Sequence, residues 1–161
     1  MAASTVVKHL YDGTITLEDG GSASLTVPFS VGDFSLDGVM ESQRDVQAYQ
    51  TRGTLNSVRL SARNFPSLSF SAQLADVSDA TDGTVIDFCN KQGSFSGNSS
   101  TLSDSDVYAI KITLSIDYDG GGGEAAHTIV CDDVHVTQAI AEGEPDTISI
   151  SGTCYAVPTF T

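Results

Sequence analysis

Between residues 107 and 118 the chain alternates without a break. Tyr108, Ile110, Ile112, Leu114, Ile116 and Tyr118 fall on one side, and Val107, Ala109, Lys111, Thr113, Ser115 and Asp117 on the other. Successive side chains of a strand point to opposite faces, so this period marks a strand with one buried face. A helix would scatter the same residues around its circumference. The pattern recurs at 24–31, where Leu25, Val27, Phe29 and Val31 alternate with Ser24, Thr26, Pro28 and Ser30. It recurs again at 67–74 (Leu68, Phe70, Ala72, Leu74) and at 146–155 (Ile148, Ile150, Cys154). Shorter strands are expected near 13–18 and 33–36.

The segment 127–140 breaks phase. Ile129 and Cys131 occupy odd positions, whereas Val134 and Val136 occupy even ones. One extra residue at Asp132-Asp133 restores the pattern, as a β-bulge does; a tight turn there is the alternative.

One helix is expected at about 79–92. Ser78 or Asp79 can cap it, and Asp79 and Asp82 suit its positive end. Val85, Ile86, Phe88 and Cys89 form its apolar stripe, and Lys91 and Gly93 stand where it should stop. Asp outnumbers Glu 16 to 5, and Ser and Thr together number 37, a balance favouring turns and strands over helices. The expected fold is therefore mainly β: a β-sandwich or barrel with one flanking α-helix and a long loop or arm at about 38–65. A single domain spanning 1–161 is long enough to bury a core without covalent staples.

The polar strand faces carry short hydroxyls rather than Lys and Glu. Such faces suit strands that are covered by a neighbour or that line a passive channel. Charge is segregated as well. In 44–63, Arg44, Arg52, Arg59 and Arg63 face one acid, Asp45, giving this window +3 and leaving −17 on the rest of a chain whose net charge is −14. The window reads as an extended arm or a loose hairpin projecting from the sheet, and such an arginine-bearing arm on an acidic body suits self-association, one copy's arm meeting the next copy's body. An ordinary loop with paired or solvated arginines, or a phosphate-binding arm, are the other readings. The acidic field opposes adhesive binding of nucleic acid, which needs clustered Lys and Arg.

Chemical signatures are weak. Cys89, Cys131 and Cys154 are widely spaced with no CxxC pair, so buried free thiols in a reducing compartment are expected. His9, His127 and His135 lie in separate segments. His127 and His135 would sit about 27 Å apart on one straight strand, too far to share a metal. Asp117-Tyr118-Asp119-Gly120 with Glu124 does not match calcium-loop spacing and reads as a strand end and glycine turn. Gly120 to Gly123 lacks the Lys-Ser or Lys-Thr of a P-loop, and neither GxSxG nor HExxH occurs. No cofactor, metal site or enzymatic activity is expected. The start shows no secretory pattern and no apolar run is long enough to span a membrane, so the sequon Asn98-Ser99-Ser100 lacks a secretory context.

Several stretches together carry a family resemblance: DGTITLEDG, LTVPFSVGDFSLDG, DVQAYQTRG, FPSLSFSAQLADVSDATDGTVIDF and AEGEPDTISISGTCYA. In their order the chain resembles the tail tube, or major tail, proteins of long-tailed bacteriophages. The resemblance spans nearly the whole chain, and its motifs are architectural rather than catalytic. It implies a structural virion protein forming hexameric rings that stack into a tube, with DNA passing through as cargo. It further implies contacts with tape measure, tail terminator and distal tail proteins, and assembly in the host cytoplasm into the phage tail. Residues 38–65 match the long loop, so Arg44, Arg52, Gly53, Arg59 and Arg63 become the expected subunit-interface residues. Other readings are a head–tail terminator, a capsid decoration protein or a ligand-binding β-sandwich module.

Overall fold

The computed structural model describes residues 13–39, 46–60, 64–79, 81–103, 106–116 and 126–161. The strands are β1 (Gly13–Glu18), β2 (Ser24–Thr26), β3 (Ser35–Asp37), β4 (Val46–Thr51), β5 (Thr54–Leu60), β6 (Ser67–Gln73), β7 (Ile110–Ile116), β8 (His127–Ala141), β9 (Thr147–Cys154) and β10 (Thr159–Phe160). A short helix, α1 (Val85–Asn90), lies between β6 and β7.

The main sheet is antiparallel, in the order β2-β1-β7-β8-β9-β6-β3, with β10 added to β8. Its ends are joined. The 24–31 alternation is one strand only as far as Thr26, because Pro28 and Phe29 (φ 52°) turn the chain. Val27 N–H still bonds Ile15 O at 2.8 Å, then Val31 N–H bonds Ser71 O at 2.9 Å and Gln73 N–H bonds Phe29 O at 3.1 Å. One segment thus starts on β1 and finishes on β6. This closes the sheet into a barrel and leaves few strand edges exposed.

The interior follows the registers. Leu17 pairs with Ile112 and Ile112 with Cys131. Across the other half, Val136 pairs with Gly152, Gly152 with Leu68, and Ile150 with Phe70. Paired residues point to the same side, and most of this apolar set is fully buried. Gly152 occupies a tight point, since a Cβ there would lie 2.5 Å from Val134 Cγ1.

The phase change resolves as a bulge within one strand. Ile110 pairs with Val134 and Ile112 with Cys131, so β8 spends an extra residue opposite Lys111, and Asp133 takes φ 52°. Both Cys131 and Val134 therefore face inward.

The helix is shorter than the sequence indicates. Asp79 and residues 81–84 precede it without helical structure, and the N-cap is Thr84, whose hydroxyl accepts Asp87 N–H at 3.1 Å. The carboxylate of Asp79 instead accepts from Thr81 N–H at 2.7 Å and Asp82 N–H at 3.3 Å, which holds its pKa below the usual carboxylate value. Ser78 Oγ donates to Asp87 at 2.9 Å, and Asp79 N–H donates to its other oxygen at 3.0 Å. A fully buried Asp87 thus ties the loop to the helix. Lys91, in the left-handed region, ends the helix close to the expected stop.

Val85, Ile86, Phe88 and Cys89 are buried at one mouth of the barrel, where Tyr108 Oη donates to Phe88 O at 3.2 Å. The segment with Asp117, Tyr118, Gly120 to Gly123 and Glu124 lies outside the described residues, as does His9.

Replacing Asp87 with Ala strands the Ser78 hydroxyl and the Asp79 N–H. Such loss of hydrogen bonds to a charged group costs roughly 2–4 kcal/mol, to be read as a lowered midpoint in chemical denaturation.

Candidate assembly surface

Residues 46–60, the centre of the predicted arm, take the hairpin form of the two that the window allows, rather than that of an extended arm. Among the described residues, β4 and β5 pair only with each other, forming a separate two-stranded sheet. Arg52 (φ 49°) and Gly53 (φ 83°) form its two-residue turn. Positive φ at both positions is the type I′ geometry, whose twist matches that of the flanking strands. Glycine takes this conformation freely; arginine does so at a cost. Arg52 and Arg59 are exposed, and 46–60 contains no acid. Arg44 and Arg63 lie outside the described residues.

The hairpin has two unlike faces. Val46 pairs with Leu60, Ala48 with Val58 and Gln50 with Leu55, so these six residues share one side. Gln47, Tyr49 and Thr51 share the other with Arg59, Ser57 and Thr54. A register shift after Tyr49 leaves Asn56 as the extra residue of β5 and keeps Leu55 on the same side as Val58. That bulge hides the alternation in the sequence. The apolar side is uncovered: Val46, Leu55, Val58 and Leu60 are each about half exposed or more, from 46% to 60%. Stable monomers seldom leave such a stripe open, which makes it a candidate interaction surface.

The barrel's outer surface is of another kind. Ser35, Ser69, Ser151 and Thr137 form one cross-strand row, and Asp37, Ser67, Thr153 and His135 the next. The hydroxyls bond one another, with Ser35 to Ser69 at 2.8 Å and Thr137 to Ser151 at 3.1 Å. On the other half Thr26, Thr16 and Thr113 continue the theme. Lys111 and Glu18 make an ion pair there at 2.8 Å, partly exposed and worth about 0–1 kcal/mol. The expectation of hydroxyl-lined strand faces is met.

A feature not legible in the sequence lies on β8. β7 pairs with β8 only as far as Val134, whereas β9 follows it to Ala141. On its β7 side, residues 136–141 have no partner strand among the described residues. Ile140 there is 56% exposed. The strand runs into the exposed turn Glu142, Gly143, Glu144, Pro145 and Asp146.

The other candidate groups are structural. Among the described residues, no group of His, Cys, Asp and Glu could hold a metal. His127 and His135 lie on the same strand, where they bond Thr161 O and Tyr108 O. Asn98 of the sequon is buried and donates to Tyr108 Oη at 3.2 Å. All three cysteines are buried and free. Burial pushes the Cys89 thiol up to about 12. The hydrogen bond between Cys131 and Cys154, with burial, raises the Cys154 thiol above its usual range.

No protein-family model and no curated protein sequence matches the chain. Two solved structures are similar over almost its full length. One is the sheath/tube terminator of an extracellular contractile injection system in its extended state, with TM-score 0.58, 13% identity and 99% of each chain covered. The other is the tube-terminating cap of the anti-feeding prophage, with TM-score 0.58, 15% identity, and 100% of this chain and 95% of that one covered. At such identity the likeness is one of fold.

Replacing Arg52 with Gly removes the positive-φ cost at the turn and stabilises the hairpin by about 0.5–1 kcal/mol, seen as slower amide exchange across 46–60. In native protein at pH 8 the three thiols should resist a disulfide reagent such as DTNB, and all three should react once the chain is unfolded. Rapid labelling of the folded protein would contradict their burial.

Proposed function

We propose that this chain is a non-enzymatic structural component of a phage-tail-like particle, one that self-assembles into a closed ring seated on the end of the tail tube. The supporting observation is the likeness in fold, over nearly the whole chain, to two proteins that terminate or cap such tubes. The uncovered apolar face of β4–β5 supports self-assembly, because a protein with this role must present adhesive surface to its neighbours. Six copies would make the ring, and its partners would be the tube's own subunits and other tail proteins. It would act in the particle after assembly in the host cytoplasm.

The hydroxyl rows favour a second reading, a tail-tube subunit in stacked hexamers. Neutral hydroxyls and scattered acids give the phosphate backbone nothing to grip, so DNA would pass a lumen so lined without binding. The terminator reading stands ahead of it because both structural neighbours end a tube. A capsid decoration role and a ligand-binding module have no comparable support.

Negative-stain microscopy across a concentration series separates the readings. The expected result is isolated single-layer rings with sixfold class averages, which cap tail tubes when these are added. Long stacked tubes from the purified chain would favour the tube subunit. Monomers at every concentration, with or without added tubes, would overturn both.

A further inference from the structure

Among the described residues two surfaces lack a partner strand, and they match. The first is the hairpin, with its apolar side, its free strand edges and Arg52 and Arg59. The second is the β7-side edge of β8 from 136 to 141, flanked by acids at both ends. Glu142 and Glu144 are exposed just beyond it, and Asp132 and Asp133 sit on the bulge before it. Six residues of open edge span about 20 Å. β5, with seven residues, is long enough to cover it.

We propose that β5 of one copy adds as a strand to the open edge of β8 in a second copy, antiparallel to it. Main-chain hydrogen bonds would supply the affinity and the flanking charges the register. Run antiparallel, the Arg52-Gly53 turn meets Glu142 and Glu144, and Arg59 lies toward Asp132 and Asp133. Arg52 to Arg59 spans on the order of 20 Å and Glu142 to Asp133 on the order of 30 Å, a gap that two long guanidinium side chains can bridge. The apolar residues of the hairpin then continue the side of β8 that carries Val136 and Ile140, covering the exposed Ile140. An arginine held at positive φ has a reason here: the turn must present a cation, and Asn or Gly would not.

Topology makes this contact intermolecular. The hairpin leaves the barrel between the end of β3 and the start of β6. The open edge lies at the opposite mouth, where β6 ends, β9 begins and α1 packs. A contact between opposite ends is head-to-tail, so it closes into a ring where the rotation permits and extends where it does not. This pairing rests on the self-assembling role proposed above.

Amide hydrogen exchange and charge exchange test it together. In assembled protein, amides of both 54–60 and 136–141 should exchange at least roughly tenfold more slowly than in dilute monomer. The pair Arg52→Glu and Arg59→Glu should raise the concentration for half-assembly by roughly tenfold or more, with an unchanged melting temperature showing that the barrel still folds. Combining Arg52→Glu alone with Glu142→Arg and Glu144→Arg, the acids that face it, should restore assembly to within about threefold of the parent. Assembly with 136–141 unprotected, or no rescue by the second pair, would overturn the pairing while leaving the ring reading intact. A chain that stays monomeric at all concentrations would overturn both.

Discussion

Most of this architecture hangs on β8 and the bulge at its centre. A 15-residue strand that kept one phase could not serve both halves of the barrel. If Cys131 faced the core, Val134 and Val136 would face water, and the reverse would expose Ile129 and Cys131. The extra residue opposite Lys111 lets β8 face inward on both sides of the bulge. It also marks where β8 changes neighbours. Before Val134 the strand is held by β7, and after it by β9. The core and the open edge are two results of the same local geometry, so the feature that completes the fold also leaves a strand edge available.

The surface chemistry divides along similar lines. Around the barrel, short hydroxyls satisfy one another across strands, which leaves a surface with little adhesion and little charge. The hairpin differs: it bears an exposed apolar stripe and arginines with no acid among them, while exposed apolar residues elsewhere, such as Phe29, Ile140 and Val157, are scattered. Acids cluster at turns and at the bulge, where solvation costs nothing and the backbone needs Asp. The −14 of the whole chain is therefore a poor description of any one surface. What matters for association is that a basic element projects from one end of a body whose other end is acidic.

The sequence made the barrel legible wherever a strand has one dry face. β1, β6 and β9 follow the alternation of Ile, Leu and Phe almost to the residue, β7 begins only at Ile110, three residues after the pattern does, and the bulge follows from the parity change between Cys131 and Val134. Three features were obscured, each for a physical reason. The helix was overextended because Asp79 and Asp82 look like first-turn acids, whereas Asp79 caps a turn of its own and Asp87 binds the loop. The 24–31 strand was overextended because Pro28 and Phe29 turn it from one neighbour to another without interrupting the pattern. At 46–60 a hairpin could not be told from an extended arm, because a bulge at Asn56 shifts the phase and because both faces are exposed. The open edge of β8 could not be read at all. Edge exposure depends on where a neighbouring strand stops, and no residue type records that.

The hairpin's own energetics bear on when it acts. Two strands alone are at best marginally stable in water, and this pair carries a positive-φ arginine in its turn and an apolar stripe facing solvent. Such an element is held in shape weakly by the free chain and strongly by a neighbour that covers it. The cost of ordering it is then met at the moment of contact, which lowers the affinity of any single pair relative to the area it buries. In the self-assembling role proposed above, weak pairwise contact restrains association until copies are held close together. A ring strengthens it, because closing the last contact adds an interaction without the translational cost of recruiting another subunit. On this argument, the strained turn and the uncovered stripe together delay assembly until several copies are held at one place.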